Sequence, residues 1–216
     1  SMYVIDGEIR TKKLRETLGL DTIIPAGVLI NQLKAFKSKL DTLSDAKSNL
    51  KVRESYQSAL NLQVPRLYEG LTRHLENQES RESICAQLGP IPSIFLGDLF
   101  VSPSNAAMQV ALDARPYLYV IPNSIASFKK LLKALGVRDR FLAQDYAEVL
   151  DSIQDEYKSQ SVPEKRAELS IQIAQYLYDH STSLGNPPYL PSETNIMVLA
   201  TKMYFNDAPW LQDEEK

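Results

Sequence analysis

The chain has 216 residues, 44% hydrophobic and 24% charged, enough apolar material to bury a core in one domain or two small ones. A net charge of −3 and a pI near 5.5, with lysines and arginines spread among acids rather than gathered in a patch, leave no electrostatic footprint for nucleic acid or anionic lipid. One cysteine, Cys85, excludes an internal disulfide and suits a reducing compartment, and neither a signal pattern nor an apolar run of the roughly 20 residues that span a bilayer occurs. Ser1-Met2 reads as an expression scar, so the chain is expected to be a piece of something longer.

In chain order, Thr11–Leu18 reads as a short helix stopped by Gly19. Pro25 is placed as the first residue of a second helix, whose face carries Leu29, Leu33, Phe36 and Leu40 at helical spacing. Ser44-Asp45 is read as the cap of a third helix running toward Leu62, and Val64-Pro65 as its kink or restart, because proline lacks an amide donor. A fourth helix carries Leu67, Tyr68, Leu71 and Leu75, and a fifth, near Arg81–Leu88, buries Ile84. Ile94-Phe95-Leu96 and Leu99-Phe100-Val101 flank Gly97-Asp98 as a tight β-hairpin. Ser102-Pro103 then opens a predicted helix toward Leu112.

Pro116–Pro122 reads as extended, with Asn123 or Ser124 capping a helix whose inward face is Ile125, Phe128, Leu131, Leu132 and Leu135, and which Gly136 stops. Tyr146, Leu150, Ile153 and Tyr157 line the next helix. Another begins at Ser161 and Pro163 and turns Leu169, Ile173, Tyr176 and Leu177 inward. Tyr189-Leu190-Pro191 and Ile196–Leu199 form a second hairpin, and the last residues, Asp213–Lys216, read as a solvated tail.

The chain states one element twice. Lys12–Phe36 (KKLRETLGLDTIIPAGVLINQLKAF) aligns without a gap on Lys129–Ile153 (KKLLKALGVRDRFLAQDYAEVLDSI), each running through helical sequence into a proline-marked hairpin. The predicted fold class is therefore α+β, predominantly α-helical, with two tandem diverged helix-plus-hairpin modules, 1–114 and 115–216, which could also pack as one continuous domain.

Reactive chemistry finds little support in the pattern. His74 and His180 are the only histidines, far apart, and with Cys85 they make none of the close ligand pairs of a zinc site. His74 reads as a helix-face residue, and His180 as a cation near a helix C-terminus. Cys85 beside Ile84 reads as buried rather than activated, and no Gly-x-Ser-x-Gly elbow is present. Carboxylate pairs such as Asp151/Asp155 and Glu164/Glu168 sit among cations on helix faces. All eight glycines are isolated, whereas a phosphate cradle needs them clustered. No catalytic residue, cofactor or metal is expected. Tyr117, Tyr119, Tyr189, Tyr204, Phe205 and Trp210 cluster around the extended segments. They read chiefly as packing between hairpins and helices, with a protein-binding surface as the other reading. Asn206-Asp207-Ala208-Pro209-Trp210 reads as a turn clasped by the only tryptophan, a structural or interface element.

At these residues the chain resembles the sacsin-repeat family. Tyr189-Leu190-Pro191 followed by Phe205-Asn206-Asp207-Ala208-Pro209-Trp210-Leu211 is similar to the family's LPD…YNDAPWL repeat ending, with Ser192 in place of the usual aspartate. The Leu-Gly-Val segment with Tyr146 and Leu150, and Ile91-Pro92 through Pro103, resemble its helices and its hairpin step. The resemblance implies a large cytoplasmic chaperone-network protein whose repeats begin with Hsp90-like ATPase modules, and it places this chain downstream of such a module. It implies a non-enzymatic, monomeric scaffold segment. Its partners would be neighbouring modules, protein clients, Hsp70-type machinery or cytoskeletal proteins, with no nucleic acid and no membrane insertion. The alternative is a nucleotide- or ligand-dependent module with its site between the two copies.

Overall fold

A computed structural model describes residues 24–45, 50–180 and 187–203. The fold is α+β and predominantly helical, its strands short and gathered in sheets of two or three. Among the described residues no helix is long and apolar enough to cross a membrane. The chain divides into two compact units, each made of two stretches: residues through Met108 with Ile121–Arg138, and Gln109–Val120 with the residues from Asp139 on.

The first unit is built on α1 (Ala26–Asp45), α2 (Leu50–His74), α3 (Gln78–Leu88) and α4 (Lys129–Leu135). Pro25 is one step outside α1, its carbonyl accepting from the amides of Val28 (3.0 Å) and Leu29 (3.3 Å). Leu29, Ile30, Leu33 and Leu40 are buried on the face that α1 turns to α2. Gly70 lets the two helices approach, since a Cβ there would lie 2.8 Å from Leu29 Cδ1. Ser44 and Asp45 fall in the last turn of α1 rather than capping a new helix: Ser44 Oγ donates back to the Leu40 carbonyl at 2.9 Å, a bond an N-cap serine does not make.

Nor does the chain restart at Pro65. The helix α2 is a single element of 25 residues, with Leu60, Val64, Tyr68 and Leu71 buried on both sides of the proline. Packing of that continuous stripe outweighs the one amide bond that proline forfeits. The Asn77 side chain caps α3 by accepting from the Ser80 amide at 2.9 Å. The expected hairpin forms from β1 (Ile94–Phe95) and β2 (Phe100–Val101), antiparallel around Gly97, whose φ of +107° only glycine adopts readily.

One helical expectation fails beyond it, and a second helix starts later than expected. After Pro103–Asn105, a single 3₁₀ turn, the chain becomes β3 (Ala106–Gln109) rather than a helix. Ala106 and Ala107 are fully buried, and the Ala107 carbonyl accepts from the Ile121 amide at 2.9 Å; small side chains here admit a backbone neighbour. The segment after Pro122 is likewise a 3₁₀ turn, Ala126–Phe128, closed by the Phe128 amide on the Ile125 carbonyl at 3.0 Å, and α4 begins only at Lys129 because Phe128 (φ −83°, ψ 36°) leaves the helical region. Gly136 stops α4 as predicted. It has φ of +105° and donates to Lys133 O at 3.1 Å, while Val137 N reaches Leu132 O at 2.9 Å.

The second unit is built on α5 (Ala143–Tyr157) and α6 (Glu164–His180), packed together and against the hairpin of β6 (Tyr189–Pro191) and β7 (Met197–Leu199). Two further short strands are β4 (Tyr119–Val120) and β5 (Arg138–Arg140). Only residues 119–120 of the predicted extended Pro116–Pro122 are strand; the amides of Tyr117 and Leu118 close a turn on the Ala114 carbonyl (2.9 and 3.2 Å). Pro163 ends the approach to α6, its carbonyl accepting from Arg166 (2.8 Å) and Ala167 (3.1 Å). Val149, Leu150, Ile153, Ile173 and Leu177 form the core between α5 and α6.

Candidate functional site

Three of the sequence-predicted site residues fall in the second unit, and each has a different setting. Tyr117 is half-buried: its hydroxyl donates to Glu156 on α5, and the Arg166 guanidinium of α6 lies 5.3 Å from its ring centroid. Arg166 also donates to the Arg115 carbonyl at 3.2 Å. Burial, then the bond to Glu156 and its charge, push the Tyr117 phenol well above its ordinary range, so it stays a donor. Tyr119 is half-buried in β4, and Tyr189 stands opposite Leu199 in the second hairpin. The structure thus turns Tyr117 onto α5 and α6 and pairs the backbone of Tyr189 with β7. Phe205, Asn206, Asp207, Pro209 and Trp210, with Tyr204, lie outside the described residues.

Two tyrosines read from the sequence only as apolar faces do polar work. Tyr68, fully buried on α2, donates to the Ser93 carbonyl at 2.6 Å and accepts from the Phe95 amide at 3.0 Å. Desolvation holds its phenol far above the usual value. Tyr146, fully buried on α5, accepts from the amides of Ala111 (3.1 Å) and Leu112 (3.3 Å). Its ring continues into a row of aromatics: Phe141 at 6.2 Å, Tyr176 at 4.7 Å, and His180 stacked on Tyr176 at 4.4 Å.

The cysteine and the two histidines weighed for reactive chemistry likewise contact the backbone. Cys85 Sγ donates to the Ala134 carbonyl at 3.1 Å, His74 Nε2 lies 2.8 Å from the Ile24 carbonyl, and His180 Nδ1 lies 3.0 Å from the Tyr176 carbonyl. Asp151, flanked on its own helix by Glu148 and Asp155, has its carboxyl raised above the ordinary range, first by desolvation and then by those two charges.

In the first unit a cleft of about 450 Å³ lies where the end of α2, the start of α3 and α4 meet. Among the described residues its lining holds the cations Arg73, Arg81, Lys130 and Lys133 and the carboxylate Glu76, with Leu75 and Ala134 supplying apolar surface. Arg73 also holds Glu69 one turn earlier at 2.5 Å. The expectation of evenly dispersed cations therefore does not hold here: residues far apart in sequence are folded around one hollow in a chain of net charge −3. Only the Lys130/Lys133 pair, three apart on one helix face, left a trace in the sequence. A smaller hollow of about 150 Å³ lies beside it, among Ile24, Leu29, Arg66, Gly70 and His74.

Fold and side-chain chemistry together define a helix-rich α+β module in which the buried hydroxyls of Tyr68 and Tyr146 bond its own backbone. No protein-family model matches the chain, and no solved structure does. It is similar to a segment of human sacsin, 26% identical over 209 residues, a match that takes in 92% of this chain and 4% of sacsin. The chain thus spans a small fraction of the length of the curated relative it matches.

Proposed function

We propose that this chain is a non-enzymatic structural and protein-interaction segment of a large, sacsin-like chaperone-network protein. The observation that carries the reading is the match itself, which runs along nearly all of this chain while taking in a sliver of a giant relative. On this reading the segment is a cytoplasmic spacer: it positions Hsp90-like ATPase modules elsewhere in the long chain and contacts clients or cytoskeletal proteins. The engagement of Tyr68, Tyr146, Cys85 and Tyr117 with carbonyls, amides and Glu156 supports it, because those groups are committed to holding the fold.

A contact surface for neighbouring modules is offered on α6. Ile171 and Tyr178, seven residues apart and so on one helix face, are 60% and 84% exposed. The two-copy organisation, 1–114 and 115–216, belongs to the same proposal. It is supported by Ala26 and Ala143, aligned in the two copies, each opening a helix. The test is a calorimetric titration of the chain with the segments that adjoin it in the parent protein, the ATPase module among them. Saturable binding that Ile171→Ser with Tyr178→Ser weakens is expected. A flat titration with every adjoining segment, on a folded chain, contradicts the reading.

A further inference from the structure

We propose that the exposed face of α6 is a docking site for the segment Lys12–Leu18 of a second copy of this chain. This names the partner of the α6 surface and rests on the interaction reading above. The face is set by residues alternately four and three apart, Glu164, Glu168, Ile171, Gln175 and Tyr178, all exposed. Ile171 and Tyr178 make it apolar at its centre and end, and Glu164 and Glu168 make it acidic at its start. Asp179 borders it, whereas Lys165 lies about 100° round the helix from Glu164.

The duplication identifies the occupant. Lys12–Leu18, outside the described residues, aligns with Lys129–Leu135, which is α4. The helix α4 belongs to the first unit and packs on α2 and α3, whereas α5, the helix that follows it in sequence, belongs to the second unit. The opening helix of the second copy is therefore held by helices of the first. By the same rule Lys12–Leu18 takes its partner from another copy rather than from α1, which follows it. In chain order α6 stands to α5 as α2 stands to α1, and each of these pairs packs together, so α6 offers the surface equivalent to the one that receives α4.

Charge and shape agree with that assignment. Leu14 and Leu18 stand at the positions of Leu131 and Leu135, which α4 buries. Arg15 stands where α4 buries Leu132, so the apolar stripe of Lys12–Leu18 is narrower and has Lys13 and Arg15 on its two sides. A wholly apolar groove would bury Arg15 unpaired, at a high desolvation cost. The face of α6 instead sets two exposed apolar side chains beside two carboxylates. Seven residues cover far less than the roughly 1,200 Å² of a standard interface, so the contact between separate chains is weak. Copies joined in one polypeptide meet at an effective concentration of about millimolar, which fills such a site.

The experiment is an amide-resolved NMR titration with a synthetic peptide of residues 10–19. The full chain carries Leu14→Ser and Leu18→Ser, so that its own segment does not compete. Saturable shifts at Glu168, Ile171, Gln175 and Tyr178, weaker at high salt, are expected. Ile171→Ser with Tyr178→Ser should weaken binding on the order of tenfold or more. Glu164→Lys with Glu168→Lys should weaken it by about threefold or more at low salt. Glu54→Lys with Glu79→Lys, the same change of net charge on α2 and α3, should change it by less than about twofold. Superimposable melting curves keep a folding defect from imitating these losses. As a second measurement, light scattering of the unsubstituted chain near about 1 mM should show association that the Leu14→Ser, Leu18→Ser chain lacks. Absence of shifts at millimolar peptide, shifts centred on α2 and α3, equal loss in the two charge variants, or association that survives Leu14→Ser with Leu18→Ser would overturn the proposal. If the peptide fails while the adjoining segments still bind in the calorimetric titration, the identity of the occupant falls and the interaction reading stands.

Discussion

The hydroxyl of Tyr68 reaches the carbonyl of Ser93 at 2.6 Å, fastening the middle of α2 to the strand that opens the first hairpin. The same oxygen receives the Phe95 amide, so one buried group satisfies both a carbonyl and an N–H. Tyr68→Phe leaves the shape intact and strands both partners. It is expected to cost about 1–3 kcal/mol in urea unfolding. Tyr178→Phe, at an exposed ring, should stay within about 0.5 kcal/mol.

Leu33 and Leu150 are aligned in the sequence duplication and are each the eighth residue of their helix, both buried. Truncation to alanine should cost about 2–5 kcal/mol at either position, and likewise at Leu131 on α4. Chemical denaturation of the three single variants checks this. A cost below about 1 kcal/mol at Leu33 or Leu150 would remove the equivalence of the two helices.

Gly136 ends α4 at φ +105°, and a Cβ there would meet only Pro103 Cβ at 4.0 Å, an ordinary contact. The penalty for Gly136→Ala is therefore conformational rather than steric, about 1–2 kcal/mol by thermal or urea unfolding. Gly27→Ala, inside α1 with nothing near, should instead stabilise by about 0.5–1 kcal/mol.

Asp151 has a carboxyl raised in the folded chain by burial and by Asp155 and Glu148. Between its unfolded and raised folded values the native state binds more protons, so its contribution to stability falls as pH rises through that window and stays unfavourable above it. Asp151→Asn should thus stabilise at pH 7 by about 0.2–0.5 kcal/mol, a like-charge effect already screened by solvent. The gain should vanish below the ordinary carboxylate range. Asp113 runs the other way: the hydrogen bond from Arg115 lowers its carboxyl, so its contribution is present at neutral pH and is lost as pH falls through the lowered value. Unfolding of Asp151→Asn and Asp113→Asn across acid pH separates the signs.

What the sequence made legible was periodic. The stripes of α1, α5 and α6, the glycine at the end of α4 and both hairpins follow from apolar spacing and from residues with one conformational use, and the structure has them. The errors cluster where tertiary partners decide. Pro65 ought to interrupt α2, but a buried stripe from Leu60 to Leu71 carries the helix through. Ala106-Ala107 has helical propensity, yet its backbone is used in a strand, with Ile121 as a neighbour. The basic cleft was invisible for a related reason, since its cations meet only when α4 comes beside the α2–α3 turn. Nor does an apolar stripe announce that the hydroxyls of Tyr68 and Tyr146 will serve the backbone.

The claim that this chain works through contacts rather than reaction chemistry is tested most directly by its thermal unfolding, recorded alone, with the adjoining segments, and with Mg²⁺-ATP, ADP or Zn²⁺. A specific ligand at about 100 times its dissociation constant adds about 2.7 kcal/mol of stability, enough to move the midpoint by several degrees. The account predicts a raised midpoint with an adjoining protein segment and an unmoved one with nucleotide or metal. A midpoint raised by nucleotide and indifferent to every adjoining segment would contradict it.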